Sequence, residues 1–148
     1  MSLERQVKAL ARLPIFAAFE PEALRLIAFA GETVQFGAGE IIFRSGDESD
    51  GGFLILAGSV MLDLGHGSMD DNKIAGPGAL VGEIALFTAT VQPATAIARE
   101  NSTVLKIRRN LIQRVLQEFP ESARQVIAAL SRQIEGFGKD LEKARQAF

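Results

Sequence analysis

The chain has 148 residues, 47% of them hydrophobic, and 16 basic against 18 acidic side chains give a net charge of -2. This balance argues against a nucleic-acid-binding surface, and the lack of cysteine excludes a disulfide framework and cysteine-ligated metal sites. Apolar runs stay far below the ~20 residues that span a membrane, and charged residues interrupt any signal-peptide pattern at the start, so we expect one cytoplasmic domain over residues 1–148.

Residues 1–30 are expected to be helical. Leu24, Ile27 and Ala28 recur at the spacing of one helix face, after a proline at position 21 that is tolerated in a first turn. This segment should cover one side of the fold.

Residues 31–109 carry short apolar segments punctuated by glycine turns, a pattern typical of antiparallel strands. Val34 and Phe36 alternate with polar residues, and residues 53–60 form a nearly continuous apolar strand. The alternation of residues 103–108 predicts a last strand that is half buried. We therefore predict a mainly β fold, an eight-stranded antiparallel β-roll or jelly roll with N-terminal helices and a long C-terminal helix. The turn glycines are Gly39, Gly46, Gly58 and Gly82.

Residues 80–98, called the cassette from here on, contain the most informative motif. A glycine before a short helix start directs backbone N–H groups one way, so the amides near Gly82, Ile84 and Ala85 are candidate donors to a phosphate. Glu83 is better placed to accept hydrogen bonds from sugar hydroxyls. The motif alone is also compatible with a plain tight turn whose glutamate favours the helix dipole.

Residues 110–148 predict two C-terminal helices, a short one over 110–119 and a long one restarting at Pro120. Apolar residues of the long helix step by four and three positions, which is typical of a dimerising seam. We expect a homodimer through this helix, the alternative being a helix folded back on its own roll. The predicted dimer residues are Ile127, Leu130, Ile134, Phe137 and Leu141.

The Gly82-Glu83-Ile84-Ala85 turn and the Gln92-Pro93-Ala94-Thr95 stretch resemble the phosphate-binding cassette of cyclic nucleotide-binding domains. The resemblance runs from about Leu13 to about Leu141. It implies cAMP, cGMP or a related phosphorylated small molecule as ligand, with no resident cofactor. On the long helix it implies that Gln133 and Phe137 contact the base, although Phe137 also lies on the dimer seam. The implied ligand-binding residues are Gly82, Glu83, Ile84, Ala85, Gln92, Pro93, Ala94, Thr95, Gln133 and Phe137.

Gln92 stands where the family has an arginine that clamps the phosphate. A neutral amide lacks the charged bidentate donor, which weakens binding by about one to two powers of ten or more. Arg99, Arg124 or Arg132 could compensate for it. Thr95 lies where some relatives have a hydroxyl that favours guanine, which does not by itself indicate cGMP.

Catalysis is not indicated by any motif. His66, the single histidine, lies in a hairpin tip with Asp70 and Asp71, where solvated side chains are expected, so neither a several-histidine metal site nor a Ser-His-Asp triad is predicted. The family's DNA-binding regulators add a winged helix that this sequence lacks, so direct DNA binding is not expected. Two functions remain open: a ligand sensor with an unknown downstream protein, or a dimeric interaction module that has lost its ligand.

Overall fold

The computed structural model describes residues 2–63, 73–129 and 131. The predicted loop residues His66, Asp70 and Asp71 therefore lie outside the described residues. So do Arg132, Gln133 and, from the predicted dimer seam, Leu130, Ile134, Phe137 and Leu141.

Helices cover one side of the molecule. The first, α1, begins after Ser2, whose hydroxyl accepts a hydrogen bond from the Arg5 N–H at 3.3 Å as an N-cap. The second, α2, has Pro21 in its first turn and buries the predicted face of Leu24, Ile27 and Ala28. The helices are α1 (Leu3–Ala11), α2 (Pro21–Ala30), α3 (Arg109–Glu118) and α4, which covers residues 120–129.

Within the described residues, ten short strands form the roll, all in antiparallel pairs. One four-stranded sheet has the order β1-β10-β4-β7, a second has the order β2-β9-β5-β6, and β3 pairs with β8. The strands are β1 (Glu32–Phe36), β2 (Ile41–Phe43), β3 (Glu48–Ser49), β4 (Gly51–Ala57), β5 (Val60–Asp63), β6 (Lys73–Ala75), β7 (Leu80–Val81), β8 (Thr90–Val91), β9 (Thr95–Ala98) and β10 (Ser102–Arg108).

The predicted antiparallel roll with flanking helices is confirmed, but its strand count differs from the predicted eight. The two-residue strands β3 and β8 form a separate pair at one end of the roll. A turn through Gly46, which has a positive φ of 89°, separates β3 from β2. This turn is one of those predicted from the glycine positions.

Strand β10 separates two cores. Leu105 and Ile107 pack with the helices, whereas Val104 belongs to a second cluster inside the roll. The expected alternation holds from Leu105 to Arg108 but fails at Val104, which is buried as fully as Leu105. The register with β4 shifts between Thr103 and Val104. A central strand covered on both faces loses the simple alternation of an exposed one.

The C-terminal helices confirm the predicted restart at Pro120. Helix α3 buries Leu111, Ile112 and Val115, and α4 turns Val126 towards the same core. Ile127 points elsewhere and is 65% exposed. Ile127, the one predicted dimer residue that the structure describes, therefore lies off the face of α4 that packs on its own domain.

No helix within the described ranges combines the length and apolar character that a membrane crossing requires.

Candidate functional site

The cassette opens with a turn that only glycine adopts easily. Gly82 has a φ of +82°, and Glu83 begins a single 3-10 turn over Ile84–Leu86. Ala85 and Leu86 are buried, while the Ile84 side chain is 65% exposed. The second half of the turn is therefore buried in the domain, and its first half is exposed to solvent.

Hydrogen bonds inside this turn decide which amides can serve a ligand. The Ala85 N–H donates to the Gly82 carbonyl at 3.1 Å, and the Leu86 N–H donates to the Glu83 carbonyl at 3.1 Å. The Ala85 amide, a predicted phosphate donor, is thus already used within the turn. The roles of Gly82, Glu83 and Ile84 stay predictions.

Two consecutive glycines of β4 allow close backbone approach, Gly52 to the cassette turn and Gly51 to β10. A Cβ on Gly52 would lie 3.1 Å from the carbonyl oxygens of Val81 and Gly82. A Cβ on Gly51 would lie only 2.0 Å from the Ile107 carbonyl oxygen. Sequence reasoning missed this pair, although consecutive glycines in a strand are a known signal of close backbone approach.

Arg109, at the start of α3, holds the cassette turn from below. Its Nη1 atom donates to the carbonyl oxygens of Thr88 at 2.9 Å, Ser49 at 3.2 Å and Ala85 at 3.3 Å. Its backbone N–H donates to the Asp50 carbonyl at 2.6 Å. One residue therefore connects the cassette, the β3–β4 junction and the C-terminal helices, a role that sequence reasoning did not predict.

The second half of the cassette is fixed through its main chain. Gln92 is 6% exposed, its N–H donates to the Asp47 carbonyl at 2.8 Å, and its carbonyl accepts from the Gly46 N–H at 2.8 Å. Pro93 is exposed and Ala94 is buried. The position of the expected arginine is thus a buried, neutral one.

Thr95 braces the neighbouring loop. Its hydroxyl oxygen accepts a hydrogen bond from the Ser45 N–H at 3.0 Å. In β9, Thr95 alternates with buried Ala94 and Ala96, and it pairs with Asp63 of β5. The hydroxyl expected at a ligand therefore has a structural partner in this fold.

The proposed compensating arginines lie at the surface where they are described. Arg99 is exposed, and Arg124 pairs with Glu121 at 3.1 Å with its side chain 73% exposed. A different cation, Lys106, lies beside the cassette. Its Nζ is 5.9 Å from the centre of the Phe53 ring and 3.6 Å from Asp50 Oδ1.

A cavity of about 700 Å³ adjoins this end of the roll. Residues 89–91 of the cassette form one wall, and Lys106 and Arg109 contribute positive charge. Glu48 and Asp50 line the same space, so the cavity carries both signs of charge. The described residues contain no cluster of histidine and carboxylate side chains suited to a metal ion.

The fold is an antiparallel roll whose cassette opens with a left-handed glycine and a single 3-10 turn. A family model described as "Cyclic nucleotide-binding domain" matches residues 33–119, more than half of the chain. The chain belongs to the cyclic nucleotide-binding domain family.

Curated relatives include proteins named lysophospholipase nte1. The match is 35% identical over 119 residues for the Aspergillus fumigatus protein and 30% identical over 122 residues for the Neurospora crassa protein. These matches cover 77% and 81% of this chain but only 8% of either relative. The chain thus corresponds to a small part of these longer proteins.

Several solved structures have a similar fold. A cyclic nucleotide-binding-like protein from Brucella abortus is 32% identical, with a TM-score of 0.68 over 76% of this chain and 97% of that one. The N-terminal domain of a transcriptional regulator from Streptomyces coelicolor is 26% identical, with a TM-score of 0.80 over 90% and 94% of the two chains. The sensor domain of the regulator DNR from Pseudomonas aeruginosa, at 19% identity and a TM-score of 0.74 over 93% of each chain, shows the fold alone.

Proposed function

We propose that the chain is a regulatory sensor domain that binds a cyclic nucleotide, cAMP or cGMP, or a related phosphorylated small molecule at the cassette. The observation that carries this proposal is the left-handed Gly82 turn followed by Glu83, held at close range over Gly52 in a member of this family. Glu83 accepts hydrogen bonds from the sugar, and the amides near Gly82 and Ile84 donate to the phosphate. Pro93, Ala94 and Thr95 form the remaining wall.

Ligand binding changes the arrangement of the C-terminal helices in a homodimer. Arg109 connects the cassette carbonyls to the start of α3, so a shift of the turn changes the support of that helix. Ile127 is exposed while Val126 packs inward, which favours a second protomer on the outer face of α4. Gln133 and Phe137 then approach the base. The ligand acts by binding one helix arrangement more tightly than the other.

The alternative is a domain that has lost its nucleotide and serves as a dimeric interaction module. The observation in its favour is Gln92, a buried neutral side chain at the position of the family's arginine. Neither Arg99 nor Arg124 approaches the cassette through any contact that the described residues make. Two described cations line the cavity: Lys106, which faces Asp50, and Arg109, whose guanidinium already donates to the Thr88 and Ala85 carbonyls.

In either form we propose a cytoplasmic, non-catalytic role with an unidentified downstream protein. Because relatives named as lysophospholipases contain this segment as 8% of their length, a regulatory domain of a longer enzyme is a consistent setting. The domain itself would supply no hydrolytic chemistry.

Isothermal titration with cAMP and then cGMP tests the ligand. We expect weak, saturable heat for the natural chain, a loss of at least about tenfold in affinity for Glu83→Gln, and a gain of about tenfold or more for Gln92→Arg, since a charged donor is restored. Lys73→Gln, an exposed change away from the cassette, is the control. Flat traces for the natural chain and for Gln92→Arg would favour the interaction module.

Sedimentation analysis of Ile127→Asp tests the dimer separately. We expect the monomer fraction to rise at least about tenfold at equal concentration, because a charge replaces an apolar contact. The free energy of unfolding of the monomer should change little, since Ile127 is 65% exposed. An unchanged dimer, or a monomeric natural chain, would reject this interface.

A further inference from the structure

Three cationic side chains follow one face of α1. Arg5, Lys8 and Arg12 are exposed and spaced by three and four positions, so they form a single row along the helix. Within the described residues, none of the three forms an ion pair, whereas Lys106, Arg108 and Arg124 each face a carboxylate. This row of unpaired charge lies on a chain whose net charge is -2.

The row borders a groove of about 260 Å³ between α1 and the sheet. Its floor includes Ile55 and Leu56, which are recessed at 1% and 6% exposure. The opposite wall is the turn through Pro77 and Gly78, where the Gly78 N–H donates to the Ile55 carbonyl at 2.8 Å. No acidic side chain lines this groove among the described residues.

The three cations repel each other along the row. Like charges three or four positions apart on a helix are unfavourable, and Arg5 lies near the positive end of the α1 dipole, whereas Lys8 in the last turn lies at the end that favours cations. The described lining of the groove contains no carboxylate to offset the repulsion. A bound anionic group would offset it.

We propose that this groove binds an acidic peptide segment of a partner protein. From Arg5 to Arg12 the row spans about 10 Å at 1.5 Å per residue, which matches a few residues of an extended peptide with carboxylates on alternate positions. The recessed apolar floor accepts one aliphatic side chain between them. A lipid surface fits less well, because it requires apolar side chains that project from the protein. The proposal is independent of any ligand at the cassette.

Fluorescence anisotropy with a short labelled peptide that alternates Glu and Ser around a central Leu tests this groove. We expect saturable binding that weakens with added salt, because exposed ion pairs are screened. The combined change Arg5→Glu, Lys8→Glu and Arg12→Glu should lower the affinity by at least about tenfold, since three ion pairs become repulsive. The affinity of the neutral variant Arg5→Gln, Lys8→Gln and Arg12→Gln should lie between those of the natural chain and the charge-reversed variant. Thermal melting followed by circular dichroism checks that both variants fold.

The matched control changes the same amount of charge elsewhere, as Arg44→Glu, Lys73→Glu and Arg114→Glu, all at exposed positions. We expect this control to retain most of the affinity. Equal losses in both triple variants would show non-specific attraction and overturn the proposal. No binding to the natural chain would also overturn it, as would equal or tighter groove-dependent binding to anionic vesicles or single-stranded RNA.

Discussion

The two halves of the cassette are held in different ways. Residues 82–88 are held from below, by the close approach of Gly52 and by two hydrogen bonds from Arg109 to the Ala85 and Thr88 carbonyls. Residues 92–95 are held at the side, by main-chain bonds to Asp47 and Gly46 and by the Thr95 hydroxyl. The first half is fixed to the domain's interior and the second to a surface loop.

The two halves therefore have different proposed roles: the first provides the backbone shape of the site and the second its charge. The turn proposed to bind the ligand has the family's glycine and glutamate and is supported from below, whereas the half proposed to offset the phosphate's charge carries Gln92. A neutral residue there leaves the turn intact, because the described bonds that hold the turn come from its own main chain and from Arg109. The side chain at position 92 can therefore change its charge without a change in the backbone of the Gly82 turn.

Gly51→Ala should have the largest effect, because it forces β10 away from β4, the strand that carries Gly52 beneath the first half. The added Cβ would lie 2.0 Å from the Ile107 carbonyl oxygen. Because this oxygen belongs to the backbone, a side-chain rotation cannot relieve the clash. We expect a loss of more than about 4 kcal/mol in the free energy of unfolding, or no stable fold, measured by urea denaturation. Gly76→Ala is the control, because its Cβ meets nothing within 4 Å. Similar stability of both variants would mean that β4 does not need this close approach.

Arg109→Gln should cause the second-largest loss of stability. It removes a charged donor from three carbonyl oxygens, which costs about 2 kcal/mol and should raise amide hydrogen exchange across residues 83–88. Arg108→Gln, whose ion pairs with Glu32 and Asp50 are at the surface, should cost less than about 1 kcal/mol and leave that exchange unchanged. Increased exchange in both variants would contradict a specific clamp.

Much of the roll is predictable because its signals are local. The glycines at positions 39, 46, 58 and 82 all have positive φ, as their turn positions predict. The buried face of α2 follows from the spacing of Leu24, Ile27 and Ala28. Local rules identify these features because each depends on a few neighbouring residues.

The clamp beneath the cassette is not predictable in this way. Gly51 is constrained by Ile107, and Arg109 by Ala85 and Thr88, all distant in sequence. An arginine at a helix start gives no indication that its partners are backbone carbonyls of another loop. The burial of Val104 was missed for the same reason, since only the assembled fold shows that β10 is covered on both faces.

Thr95→Val should have the smallest effect and tests the side attachment of the second half. The change keeps the branched shape but removes the acceptor of the Ser45 N–H, an exposed bond that water partly replaces, so we expect a loss of about 1 kcal/mol or less by urea denaturation. Thr95→Ser keeps the hydroxyl and should preserve slow exchange of the Ser45 amide, which Thr95→Val should accelerate. If both variants exchange alike, the hydroxyl does not brace this loop. A changed preference between cAMP and cGMP in Thr95→Val alone would instead assign the hydroxyl to the ligand.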